Sequence, residues 1–432
     1  MRGANIEAVG PTHDVMLSYE GQPRTEIDAA NGLVMPGLID GHAHPTNQLL
    51  APGAKARAGM TTIEYLSRVG YPLERALSAS LAKIGAKLCF AEMIRNGVTC
   101  FNDGGGEQPH AIAQAAAEIG IRGTVTRSTR DFIPDGWPKE KIRSDDVATS
   151  IAETEQLIEA WNGAADGRLR AWCEMRNPYT TSDELAREIA ALAKRRNVGI
   201  HGHLASNYGD RQFSRSLFGK GVIERYDELG VLGPNFYAAH MNELDDAEVE
   251  TVVNRQVNIT HCPIAYVKLA MGLGTKIPEL VKSGLNFAIG TDGLTATGSA
   301  DLFRVMFSFA TAYNEVRREQ NQINAHDALK AATIGGAKAN LWDTEIGSIA
   351  VGKRADLIII DHSGPEWSYI NRDLAHSIVF AANGDKVRSV WVHGKQLMKD
   401  RELLTVDTAP LLAEAKAGVN ELFKKVGLPA VQ

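Results

Sequence analysis

The stretch Pro36-Gly37-Leu38-Ile39-Asp40-Gly41-His42-Ala43-His44-Pro45 sets the reading of the whole chain. An apolar run ends in two histidines one residue apart, and a proline stops it. In a strand over residues 34–41, side chains alternate with period 2, so His42 and His44 emerge on the same side of its end. Two imidazoles so placed can grip one metal ion. Such a pair needs further ligands, and the rest of the chain offers them at regular intervals.

Helical and strand patterns alternate downstream. Residues 73–96 have helical period and stop at Gly97, and 98–101 form a short strand ending at Asn102-Asp103. Helix 110–119 leads to strand 123–127, and helix 147–162 to strand 169–174. Ser182 caps a helix that runs to Arg196, before strand 198–203. Helix 221–229, strand 236–240, helix 246–254, strand 257–261, helix 277–283, strand 287–292 and helix 301–318 complete the series. Counted from Leu38, eight strands alternate with helices, which predicts an α/β chain folded as a (β/α)8 TIM barrel.

The barrel is assigned to residues 35–342. Residues 1–34 contribute short strands at 4–9 and 25–29; residues 343–432 contribute strands at 346–348, 356–361 and 387–392 and a closing helix at 409–425. The two ends are expected to share a small β-sandwich-like domain. Residues 49–70, rich in Gly and Ala without clear periodicity, are expected to form a lid.

In such a barrel, functional side chains sit at the C-terminal ends of strands. Those ends carry His42 and His44, Asp103, Arg127, Glu174, His201 and His203, His240, His261 and Asp292. Metal-ligating residue types at strands one, five, six, seven and eight are hard to assign to chance. On strand five, His201 and His203 share a face, and spacing does not choose between them.

The charge balance, 46 Lys+Arg against 52 Asp+Glu, gives no footprint for nucleic acid or an anionic membrane. No apolar run approaches the ~20 residues needed to span a bilayer, and MRGANIEAVG lacks a secretory pattern. The four cysteines, Cys89, Cys100, Cys173 and Cys262, form no C-x-x-C pair, which suits a reducing cytoplasm. The expectation is a cytoplasmic enzyme acting on a small molecule, without nucleic-acid or membrane partners.

The stretches PGLIDGHAHP, HGHLAS, YAAHMNEL, HCPIAYVKL and GTDG, followed by ATIGGAKANLW and GSIAVGKRADLIIID, resemble the amidohydrolase superfamily over nearly the whole chain. The closest branch is the cytosine/guanine deaminase, adenosylhomocysteine deaminase and triazine hydrolase group. The resemblance implies His42, His44, His203 and Asp292 as ligands of one divalent metal, zinc first, with iron and manganese as alternatives. It implies catalytic roles for Asp292, His240 and His261. Asp292 and His240 would orient a metal-activated water and move its proton, and His261 would polarise the substrate. Glu174, Arg176, Tyr179, Ser206 and Tyr266 would face the substrate. A homo-oligomer is implied as well.

The chain departs from that branch where it matters chemically. Three residues after the fifth-strand histidine the deaminases carry a glutamate that protonates the ring and the leaving amine; here Ser206 stands there. Ala265-Tyr266 and Arg176-Asn177 also replace residues that usually face substrate. The function expected is therefore hydrolysis of a non-peptide C–N bond in an amide-like, carbamate/urea-like or heterocyclic substrate. The alternatives are a deaminase or dechlorinase of a nucleobase- or triazine-like ring with a different proton donor, and a catalytically silent binding homologue.

Overall fold

A computed structural model describes residues 1–51, 59–367 and 373–428. After a short strand β1 (Leu33–Pro36), eight parallel strands follow in chain order. They are β2 (Leu38–Ala43), β3 (Val98–Asp103), β4 (Arg122–Thr126), β5 (Leu169–Met175), β6 (Ile200–Leu204), β7 (Phe236–His240), β8 (Asn258–His261) and β9 (Phe287–Ile289). Each pairs with the next, and helices cover the outside, so the strands are buried on both faces. This is the (β/α)8 barrel with the smaller sheet beside it.

The barrel closes at the end that carries the histidines. The Asp292 amide donates to the His42 carbonyl at 2.7 Å, and Ala43 and Asp292 form a parallel bridge. Asp40 reinforces this seam, accepting from the Thr291 amide (3.0 Å), the Thr291 hydroxyl (2.6 Å) and the His42 amide (3.2 Å). Burial pushes the Asp40 carboxyl up to about 7. Gly41 is required here: a Cβ would stand 2.6 Å from both Tyr237 Oη and Thr260 Oγ1.

The second sheet is antiparallel, in the order β1, β10 (Leu357–Ile360), β11 (Val387–Val392), β12 (Lys395–Lys399), β13 (Glu402–Leu403). It is tied to the barrel by Arg122, at the start of β4, whose guanidinium donates to both oxygens of Asp356 at 2.7 and 3.1 Å. Both side chains are buried. Arg122 and Arg170 lie over the Trp342 ring at 5.0 and 3.5 Å. Among the described residues no helix is long and apolar enough to cross a membrane.

Several local expectations give way. Residues 4–9 and 25–29 are not strands; Thr12–Ser18 is a helix, and residues 4–6 lie along 352–355 through the Asn5–Arg354 bridge, the Ile6 amide on the Lys353 carbonyl, the Gly352 amide on the Ile6 carbonyl and the Ala355 amide on the Ala4 carbonyl. Residues 346–348 form a turn, with Gly347 at φ 87°. The helix expected over 73–96 breaks at Ser78, whose hydroxyl accepts the Leu81 amide and starts a new helix, Ala79–Arg95. Helix Ala325–Ala331 ends just before Thr333, and a new helix, Ile334–Ala339, begins where Gly335 and Gly336 press against the Phe287 carbonyl and the Ile39 side chain. Tyr208–Phe218, a helix with a largely polar sequence, went unread because only Leu217, Phe213 and Phe218 punctuate its apolar side. Of the expected lid, residues 52–58 lie outside the described residues; Thr61 and Glu64 form a capping box on Thr62–Tyr65, and Ile63 reaches Gly209.

Candidate metal centre

Strand β2 delivers His42 and His44, β6 delivers His201 and His203, β7 ends at His240, and Asp292 follows β9. All are buried or nearly so. His44 Nε2 and His203 Nε2 are 3.3 Å apart, and Asp292 Oδ1 lies 3.7 Å from His44 Nε2 and 3.9 Å from His42 Nε2. Ligand atoms on one tetrahedral ion with bonds near 2.1 Å stand ~3.4 Å apart, so this spacing fits a single cation. His42 Nε2 is buried without any hydrogen-bond partner, as expected of a donor atom aimed at an ion. His42, His240 and Asp292 form an overlapping group of the same kind.

The backbone is strained where these side chains emerge. His240, Asp292 and Ala205 have φ of 84°, 59° and 49°, a region that non-glycine residues seldom occupy and that clusters at functional sites. His240 is held from behind: its Nδ1 is 3.0 Å from the Tyr266 hydroxyl, and the Cys262 amide donates to the same oxygen at 3.4 Å. This contact holds the His240 ring by its Nδ1 and leaves Nε2 to face the cluster.

His261 stands one layer back, caged by Tyr266, Phe287, Phe309 and Tyr313. Its Nδ1–H donates to the His240 carbonyl at 2.9 Å, and its Nε2 accepts from the Tyr313 hydroxyl. Neither nitrogen is left for a substrate. Tyr313 is distant in sequence, so no local pattern points to this arrangement.

His201 Nε2 meets His42 Nδ1 at 3.1 Å, on the side of that ring away from the cluster. Glu174 is fully buried in the same region, with Oε1 3.8 Å from the Nδ1 atoms of both His201 and His203. Arg176 donates through Nη1 to the Gly104 and Gly105 carbonyls at 2.5 and 2.8 Å and through Nη2 to Glu74 at 3.1 Å. Tyr179 packs against Trp137 and Phe213, and Tyr71 joins the same aromatic group. Asp103 accepts from the Thr126 amide at the end of β4, and Arg127 pairs with Asp145 and Glu153, so both brace neighbouring elements.

Ser206 does not stand alone. Its amide donates to Asp210 Oδ2 at 2.9 Å, and its hydroxyl donates to the same oxygen. Asp210 is buried, and burial raises its carboxyl above the usual range. The residue was missed in the sequence, although its position in the first turn after Asn207, an N-cap, brings it back to Ser206.

Burial holds His42, His44 and His203 well below the ordinary imidazole range, and pushes Asp292 up to about 6. These shifts predict the pH at which the protein takes up metal. Just below pH 6 the rings stay neutral while Asp292 takes up a proton, which a cation held by Asp292 would have to displace. Affinity measured by chelator competition should fall about tenfold per unit below pH 6 and level off above it. Asp292→Asn should flatten that limb.

A family model described as the amidohydrolase family matches residues 33–397. The chain is 32% identical to the 5-methylthioadenosine/S-adenosylhomocysteine deaminase of Thermoanaerobacter pseudethanolicus, over 98% of this chain and 96% of that protein. It is 30% identical to the 5'-deoxyadenosine deaminase of Methanosarcina mazei, over 98% and 94%. An adenosine deaminase from Xanthomonas campestris with bound zinc superposes with TM-score 0.87 at 29% identity, over 97% of this chain and 92% of that one. An atrazine chlorohydrolase from Arthrobacter aurescens complexed with zinc shares the fold, with TM-score 0.85 at 21% identity over 97% and 94%.

Proposed function

Because the chain belongs to the amidohydrolase family of metal-dependent hydrolases that act on C–N bonds, we propose that His42, His44, His203 and Asp292 hold one zinc ion and that the enzyme cleaves an amide-like, carbamate/urea-like or heterocyclic C–N bond in a small molecule. The observation that carries this reading is the convergence of Nε2 atoms and one carboxylate oxygen around the unpartnered Nε2 of His42. A bound divalent cation supplies Lewis acidity and lowers the pKa of a water to about 7.

The protein's own groups supply the rest. Asp292 points its carboxylate at the centre and can take a proton from the attacking water and pass it on. His240, held at Nδ1 by Tyr266, presents Nε2 toward that water or the substrate oxygen. Tyr266 fixes the ring of His240 and His261 fixes its backbone, so both position His240. Arg176, Tyr179 and Ser206 are assigned to the wall that meets the substrate, Arg176 through the Gly104-Gly105 turn it braces. Replacing His261 with asparagine should lower kcat ~10–100-fold, the range for a supporting residue, while metal content stays at the wild-type value. Loss of metal along with activity would contradict that division of roles. The four cysteines are buried free thiols, which supports a cytoplasmic setting.

The contact of Ser206 with Asp210 favours a second reading, deamination of an adenosine-like ring. Asp210 would supply through the serine hydroxyl the proton that a glutamate supplies in deaminases. Ammonia release decides between the two, with product analysis for the amides, carbamates and cyclic amides that release none. A panel of 6-aminopurine nucleosides, amides, carbamates and cyclic amides is assayed with the wild type and Asp210→Asn. Turnover confined to amides and carbamates, and unaffected by Asp210→Asn, supports the first reading. Ammonia from the nucleosides alone, lost in Asp210→Asn, replaces it with the second.

A further inference from the structure

Glu174 has no hydrogen-bond partner for either carboxylate oxygen, although the side chain is fully buried. It lies directly beneath the Gly104-Gly105 turn, where a Cβ on Gly105 would come within 1.9 Å of Oε2. The Nδ1 atoms of His201 and His203, each 3.8 Å from Oε1, are also buried without partners. Arg176 Nη1, at 4.0 Å, does not satisfy the carboxylate. Four orphaned polar atoms therefore face one another in a single buried space.

Counting protons explains the arrangement, given the metal ligands proposed above. A neutral imidazole carries one proton, so His42 and His203, ligating through Nε2, must carry theirs on Nδ1. The Nδ1–H of His42 finds its acceptor in His201 Nε2 at 3.1 Å. His201 is then also protonated on Nδ1. Two N–H groups, from His201 and His203, thus point at one carboxylate oxygen.

We propose that Glu174 is a positioning residue that accepts both of these hydrogen bonds, closing a loop from the metal through His42, His201, Glu174 and His203 back to the metal. Reaching ordinary hydrogen-bond lengths takes roughly 1 Å of side-chain movement. The loop fixes two ligand rings at once, in tautomer and in orientation. It also gives His201, two residues short of the ligand position, a defined task as the link between His42 and the carboxylate. A second cation bound by Glu174, His201 and His203 would need both Nδ1 protons removed, which the His42–His201 contact opposes.

The test uses the full-length zinc-loaded protein with 15N-labelled histidine, in which long-range 15N–1H correlations report the tautomer of each ring. His201 and His203 are expected with the proton on Nδ1 and none on Nε2. Zinc affinity, measured by chelator competition, is expected to fall ~10–100-fold in Glu174→Gln at one zinc per chain, with part of the loss recovered in Glu174→Asp. A His201 protonated on Nε2 in the wild type, or a zinc affinity in Glu174→Gln within twofold of wild type, overturns the proposal. So do two zinc ions per wild-type chain falling to one in Glu174→Gln, which would make Glu174 a ligand. A wild type that binds no zinc removes the metal centre itself, a failure distinct from all of these.

Discussion

His203→Ala is expected to leave the purified protein without its metal and to lower kcat/KM at least about a thousandfold, since the cation contributes several kcal/mol to the reaction. The geometry singles out this residue because its Nε2 stands 3.3 Å from His44 Nε2 in the shared group with His42. His201→Ala removes a ring that meets His42 through Nδ1, the nitrogen that does not ligate, and its effect should stay within ~10–100-fold. Metal content and kcat/KM for the two variants, measured side by side, check the order. A larger loss in His201→Ala would reverse the ligand assignment.

The second large effect lies at the opposite end of the barrel. Asp356→Ala strands the buried guanidinium of Arg122 without its bidentate partner. Removing one member of a buried pair costs about 3–5 kcal/mol, because a desolvated charge remains. The melting temperature should fall by several degrees, while kcat per folded molecule stays near wild type, because the metal centre is built at the C-terminal ends of the strands. Arg122→Met combined with Asp356→Leu should recover much of the loss, since a well-packed apolar pair is often as stable as the ion pair it replaces. Thermal unfolding of the three variants decides the matter; a double variant as unstable as Asp356→Ala would show that the pair contributes more than relief of a buried charge.

The barrel was legible because its signal is periodic and repeated. Each β/α unit restates the same alternation, so errors at single boundaries, such as the break at Ser78, leave the count intact. The histidines were legible for a related reason: period 2 forces His42 and His44 to one side, and the other candidates fall at equivalent strand ends. What stayed hidden depends on contacts between distant residues. Nothing in H-C-P announces that both nitrogens of His261 are occupied, because the Tyr313 hydroxyl comes from another element. The order of His201 and His203 depends on how far each projects beyond the strand end, which the alternation of side chains leaves open. The N-terminal strands failed because a short apolar alternation needs a neighbouring strand, and Ala4, Asn5 and Ile6 pair instead with the loop at 352–355.

The barrel seam has a consequence for biogenesis. Asp40 and Thr291, which fasten it, are 251 positions apart, and of the proposed ligands His42, His44 and Asp292 lie on its two sides. Closing a chain segment of that length is slow, because its entropy is lost before the contacts form. A growing polypeptide can present His42, His44 and then His203 early, yet these offer only part of a coordination shell. With Asp292 as the proposed fourth ligand, the shell would be complete only when the eighth barrel strand has docked. On that assignment metal acquisition would be the closing event of assembly and would favour chains whose barrel has shut.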